Sequence, residues 1–138
     1  MKKQIYSLMI GAAAFLGSTL IASADPALLG NKSLSGQKLD DDAAKAVLMG
    51  KNSMLGGSRV VIVIVKGSDA QDAYLKDRVG MTTDQFQTYW RRLFMTGGGS
   101  APKTAESEAE AIKLAAETPG AVVVGDSAKA DGLVVLNK

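Results

Sequence analysis

The sequence predicts an α/β domain: a mixed, mainly parallel sheet with helices on both faces. Three observations carry this. Val60-Val-Ile-Val-Ile-Val65 is an unbroken β-branched run, a poor helix and a good strand. It does not alternate with polar residues, so both of its faces are covered, as in a central strand between helix layers. Val122-Val-Val124 and Leu133-Val-Val-Leu136 are shorter runs of the same kind, and segments with helical start and stop signals lie among the strands.

The elements follow in order. Pro26-Ala-Leu-Leu29 is a short apolar run that suits a strand, and Gly30 to Gln37 is polar and turn-like. Asp40 can cap a helix through Met49, with Asp41 and Asp42 near its positive end. Ala43, Ala44, Val47 and Leu48 supply its buried side, and Gly50 is placed to end it. Asn52 to Ser58 is a loop carrying Gly56-Gly57. After the long strand, Ser68 or Asp69 can cap a helix from about Ala70 to Val79, ended by Gly80. Thr82-Thr-Asp-Gln85 is a capping box that opens another helix. There Phe86, Tyr89, Trp90, Leu93 and Phe94 fall on one arc, which reads as core rather than a ligand platform. Thr96-Gly-Gly-Gly-Ser-Ala-Pro102 is a flexible break, too short for a domain linker. A further helix is expected from Ala105 to Glu117, with Ala105, Ala109, Ile112 and Ala116 inward and Glu106, Glu110, Lys113 and Glu117 in solvent. Pro119-Gly120 ends it, and Asp131-Gly132 turns into the last strand. The expected order is β-α-β-α-α-α-β-β.

Composition excludes a good deal. The 138 residues allow one domain. There is no His and no Cys, which removes imidazole bases, thiol nucleophiles, disulfides, Cys/His zinc sites and Ser-His-Asp triads. Met1-Lys-Lys3, an apolar run from Ile5 to Ile21 and Ala22-Ser23-Ala24 read as a cleavable secretory signal over residues 1–24. A single domain over residues 25–138 is expected to remain, free of the membrane and located in a periplasm, with secretion as the alternative. The formal charge of +2 comes from Lys2 and Lys3. Without them the two signs balance, which argues against a polycationic nucleic-acid binder.

Familiar nucleotide motifs fail. A phosphate-cradling loop counted from Gly97 meets Pro102 where its second Gly should stand, and the dinucleotide pattern breaks at the same proline. Asp40-Asp41-Asp42 lacks the alternating ligand pattern of a calcium loop. Gly67-Ser68-Asp69 remains as the site of interest. It joins a buried strand to a helix start, where backbone N–H groups and the positive end of the helix favour a small anion. The Ser68 hydroxyl adds a donor. The Asp69 carboxylate competes for those donors and suits a protonated anion better. Read more plainly, the same residues are a helix cap.

Several motifs occur in an order that resembles the substrate-binding proteins of phosphate ABC transporters, within the type II periplasmic binding proteins. Leu34-Ser35 precedes a helix ending in Gly50-Lys51. Gly57-Ser58-Arg59-Val60 leads into a strand, and Gly67-Ser68 opens a helix. Gly80-Met81-Thr82, Tyr89-Trp90, Phe94-Met-Thr-Gly97 with Pro102, and Glu108, Ala109 and Ile112 before Pro119-Gly120-Ala121-Val122 complete the series. The resemblance spans about Ala27 to Leu136 and implies one lobe of a fold whose full members close two lobes on their ligand. Departures accompany it. Ser68 matches the family's anion-loop serine, but Asp69-Ala70 stand for Gly-Thr, and Ile64 stands where an Arg belongs.

The resulting expectation is a non-catalytic solute-binding-like domain for phosphate or a related small oxyanion, linked to ABC-type uptake. The ligand would rest on Gly67, Ser68 and Asp69, covered by Thr96, Gly97, Gly98, Gly99 and Ser100. Neither a cofactor nor a metal is implied, and the partners would be the anion, a membrane transporter or a second copy of the chain. The alternative is a periplasmic interaction or accessory module that reuses one lobe without ligand. An enzyme would need carboxylates, Lys51, Lys66, Lys103 or a metal, and no spacing favours it.

Overall fold

A computed structural model describes residues 25–97, 101–130 and 132–138. The expected leader, Gly98, Gly99, Ser100 and Asp131 lie outside the described residues.

The β-branched run forms β4 (Val61–Val65), next to the centre of a five-stranded sheet. The other strands are β1 (Pro26–Asn31), β5 (Lys103–Ala105), β6 (Ala121–Asp126) and β7 (Leu133–Asn137), in the order β5-β4-β6-β1-β7. β4 runs parallel to β5 and to β6, while β1 runs antiparallel to β6 and β7. Four of the five strands therefore point the same way, with β1 reversed among them. A two-residue hairpin, β2 (Met54–Leu55) with β3 (Ser58–Arg59), stands apart. Gly56 and Gly57 turn it with φ of 53° and 86°, the positive values such a tight turn requires at both central positions.

Helices cover both faces, as expected. On one face lie α1 (Asp41–Leu48), α2 (Asp69–Tyr74) and α3 (Thr83–Met95). A π-helical turn over Leu75–Val79 continues α2 without a break, and Gly80 ends it in the left-handed conformation. These elements pack Val47, Leu48, Tyr74, Leu75, Phe86 and Trp90 against Leu28, Ile62, Ile64, Val122, Val124 and Leu136 of the sheet. The other face is covered by α4 (Glu108–Glu117), whose Ala111 and Ala115 meet Ala27, Leu29, Val63, Val65, Ala121 and Val123. Asn31 at the end of β1 donates through Nδ2 to the carbonyls of Ala115 (2.8 Å) and Ala116 (3.1 Å), which ties the far end of α4 to the sheet.

Local expectations hold at the helix starts. Asp40, Ser68 and Thr82 each accept a first-turn N–H, and Thr82 with Gln85 forms the complete capping box. The aromatic arc of α3 is core for Phe86 and Trp90 and partly so for Tyr89 and Leu93. It also finishes α1: Trp90 Nε1 donates to the carbonyl of Leu48 (2.9 Å), and Tyr89 OH donates to that of Met49 (2.6 Å). Those carbonyls at a helix end lack intrahelical partners.

Three expectations are corrected. Phe94 is not core; it is 49% exposed at the end of α3. The last helix starts at Glu108, and Ala105 belongs to β5, paired with Val65. Its buried face is accordingly Ala111, Ile112 and Ala115, and Ala109 and Ala116 face solvent. Ser107 explains the shift, because its hydroxyl accepts from Glu110 N (3.2 Å) and sets the start at Glu108, three residues beyond the end of the strand. Before the helix, the backbone is held by its pairing with β4, and local helical spacing does not override that pairing.

Gly120, just before the central strand β6, shows how closely the chain passes the end of β3. Its φ is 79°, and a Cβ there would lie 2.1 Å from the carbonyl oxygen of Arg59. Any side chain would therefore collide with backbone.

Candidate functional site

The parallel strands β4, β5 and β6 bring their carboxyl ends to one edge of the sheet. From β4 the chain passes through α2 and α3 on one face to β5; from β5 it returns through α4 on the other face to β6. β4 and β6 are neighbours, yet their connections depart in opposite directions. A divergence of this kind marks the expected ligand crevice of an open α/β sheet, beyond the strand ends.

Ser68 stands at this crevice. Gln71 fixes the approach to it: Val65 N donates to its Oε1 (2.9 Å), and its Nε2 donates to the carbonyl of Val65 (2.8 Å). The amide thus satisfies both backbone groups at the end of β4. A further bond from Nε2 reaches Thr83 Oγ1 at 3.1 Å, and Thr83 in turn donates to Asp72. Gln71 is 1% exposed, and its amide groups find their partners within this network. Ser68 Oγ accepts from Gln71 N (3.2 Å), which leaves its hydroxyl proton to donate elsewhere.

That proton goes to Glu108. The Ser68 hydroxyl donates to Glu108 Oε1 at 2.8 Å, and Asp126 N donates to Glu108 Oε2 at 3.2 Å. The carboxylate at the start of α4 therefore bridges the end of β4 and the end of β6. It takes the Ser68 hydroxyl, one of the donors that the sequence assigns to a small anion. Asp126 is itself held: its Oδ1 accepts from Asp25 N (3.2 Å) and Ala128 N (3.0 Å). Beside the crevice Lys66 pairs with Glu106 at 2.8 Å, and this bond and charge raise the Lys66 pKa.

The remaining sequence-assigned residues are placed as follows. Gly67 and Asp69 are exposed on either side of Ser68, and a Cβ at Gly67 would meet nothing within 4 Å. The backbone there is open to an incoming group. Thr96 is exposed at the end of α3, and its hydroxyl donates to the carbonyl of Leu93 (2.9 Å). Gly97 turns the chain with φ of 79°. Among the described hydrogen bonds, none joins Thr96 or Gly97 to Ser68. Gly98, Gly99 and Ser100 lie outside the described residues.

Glu108 and Asp126 were not assigned to a site from the residues. For Glu108 a signal was present: Ser107 with Glu110 is a cap pattern, which puts Glu108 at the helix start, at the strand ends. For Asp126 the residues before it are simply a strand, and only sheet order places it beside Ser68. Among the described residues no group of three or more His, Cys, Asp or Glu could hold a metal ion. No helix there is long and apolar enough to cross a membrane.

No protein-family model matches the chain, and no curated protein matches it either. Solved structures do resemble it. One is described as a phosphate ABC transporter substrate-binding protein with bound phosphate, from Clostridium perfringens. It superposes with a TM-score of 0.60 at 12% identity, over 82% of this chain and 44% of that one. Another is an ABC-type phosphate transport receptor from Vibrio cholerae, with a TM-score of 0.59 at 10% identity, over 82% of this chain and 45% of that one. The chain has the fold of part of these proteins and spans less than half the length of either. At such identity the likeness establishes the fold.

Proposed function

We propose that this chain is an exported, non-catalytic solute-binding-like domain for phosphate or a related small oxyanion, serving ABC-type uptake. The observation that carries this is the position of Ser68. In a fold shared with two phosphate-binding or phosphate-transport proteins, it stands at the crevice between β4 and β6, with an open backbone at Gly67. The anion would take the N–H groups at the start of α2 and the Ser68 hydroxyl, displacing or sharing Glu108. A protonated oxyanion suits this best, since it can donate to the Glu108 carboxylate. A site in one such domain leaves part of the ligand in water, so binding is expected to be weak unless a second copy closes on it.

Thermal unfolding of the purified protein against phosphate, sulfate and arsenate tests this reading. At a hundred times its dissociation constant a ligand stabilises by about 2.7 kcal/mol. The reading expects such a shift for one oxyanion and its loss in Ser68→Ala. An absence of any shift rejects it.

A second reading has its own observation. Glu108 already satisfies the Ser68 hydroxyl and Asp126 N, so the crevice is complete without ligand. On this reading the domain is an accessory or interaction module that retains the fold of a binding lobe. A protein that stays unresponsive to anions even as Glu108→Ala supports it.

A further inference from the structure

A second recess lies on the other side of Lys66 from Ser68, between α3 and the outer strand β5. Its volume is about 330 Å³. Gln87, Arg91 and Phe94 form one wall; spaced four and then three residues apart on α3, they share one side of that helix. Pro102 and Thr104 form the other wall, Ile64 the floor, and Lys66 one end.

The chemistry of this lining is specific. It combines two cations with apolar surface chiefly from Phe94 and Pro102, above the buried Ile64, and polar groups from Gln87 and Thr104. Phe94 belongs by spacing to the core arc of α3, where Phe86 and Trp90 are 2% and 4% exposed. It is nevertheless half exposed, and it borders this groove. Among the described residues Arg91 forms no ion pair. Lys66 pairs with Glu106, but both partners are more than half exposed. Such a pair is weak and can be shared with a second anion. Glu106, and behind it Glu110, are the like charges near Lys66 that an incoming anion must tolerate.

We propose that this groove binds a small organic anion, with its charged head between Lys66 and Arg91 and its apolar body on Phe94 and Pro102, above Ile64. Arg91 supplies planar paired donors for a phosphate or carboxylate head, and Lys66 supplies a point charge. Inorganic phosphate cannot use the apolar walls, so this site and the Ser68 crevice select different ligands.

Calorimetric titration with phenyl phosphate, benzoate and inorganic phosphate tests the proposal. Both variants needed, Arg91→Ala and Phe94→Ser, alter exposed side chains. Phenyl phosphate or benzoate is expected to bind the wild type and to weaken at least about tenfold in each variant, while Ser68→Ala leaves it unchanged. This result stands even if phosphate, sulfate and arsenate all bind nowhere, which would reject the proposed function and leave the groove. Binding lost in Ser68→Ala and kept in Arg91→Ala would move the organic anion to the crevice and overturn the groove. No binding of either organic anion also overturns it. So does light scattering that shows a dimer dissociated by Phe94→Ser, because the groove would then be covered by a second copy.

Discussion

The two faces of the sheet are built from different residues. On the thick face three helices bring Tyr74, Leu75, Phe86 and Trp90 over the strands. On the thin face α4 covers the sheet with Ala111 and Ala115 against Ala27, Ala121 and valines. Short side chains on both surfaces let a helix lie close to its sheet. The thin face therefore positions α4 closely enough for Glu108, its first residue, to reach Ser68 and Asp126. The thick face holds the Ser68 junction through Gln71, and the thin face brings Glu108 to it.

Substitutions can break this contrast. The largest effect is expected from Phe86→Ala, which removes a fully buried ring from the thick face. Denaturant unfolding should show a loss of about 3–5 kcal/mol. The Ser68–Glu108 contact should survive wherever the variant still folds. Ala115→Leu is the opposite experiment. It overfills the thin face and should cost about 1–3 kcal/mol, with amide shifts at Ser68 and Asp126 as α4 moves outward. A small loss with unchanged amides would show that α4 does not govern the crevice.

A pH titration sharpens the thick face. Tyr74 is buried, and burial pushes its pKa from the ordinary 10.0 up to about 12. Its hydroxyl donates to Asn137 Oδ1 at 2.6 Å, and Arg78 donates to the same oxygen at 2.8 Å. Below pH 10 both the folded and the unfolded chain keep the proton, and the contribution is complete. Between about 10 and 12 the unfolded chain loses its proton first, so stability should fall by on the order of 2 kcal/mol. Tyr74→Phe should flatten that part of the curve.

Ser68→Ala should have the smallest effect, about 1 kcal/mol, from loss of the α2 cap. It also releases Glu108 from one of its two donors.

The fold was legible where a local signal and the tertiary structure agree. The β4 run, the caps at Asp40, Ser68 and Thr82, and the Gly50 and Gly80 helix ends needed no partner to be recognised. β5 was missed because Lys103-Thr-Ala105 carries no strand signal of its own; pairing with Val63, Ile64 and Val65 makes it a strand. Phe94 departs from the expected core because helical spacing marks only a side, and on that side Phe94 borders an open groove beside β5. Half of the candidate site is legible, since Gly67-Ser68 is a local strand-to-helix junction. Glu108 and Asp126, 40 and 58 residues further on, meet it only through sheet order.

The most direct test of the central claim is a phosphate titration followed by amide NMR on the uniformly labelled protein. The account predicts that the resonances of Gly67 to Gln71 and of Asp126 shift together and saturate with one dissociation constant, and that Glu108→Gln changes that constant. Saturating shifts confined to other residues, or no shift at these amides while phosphate is in large excess, would contradict it.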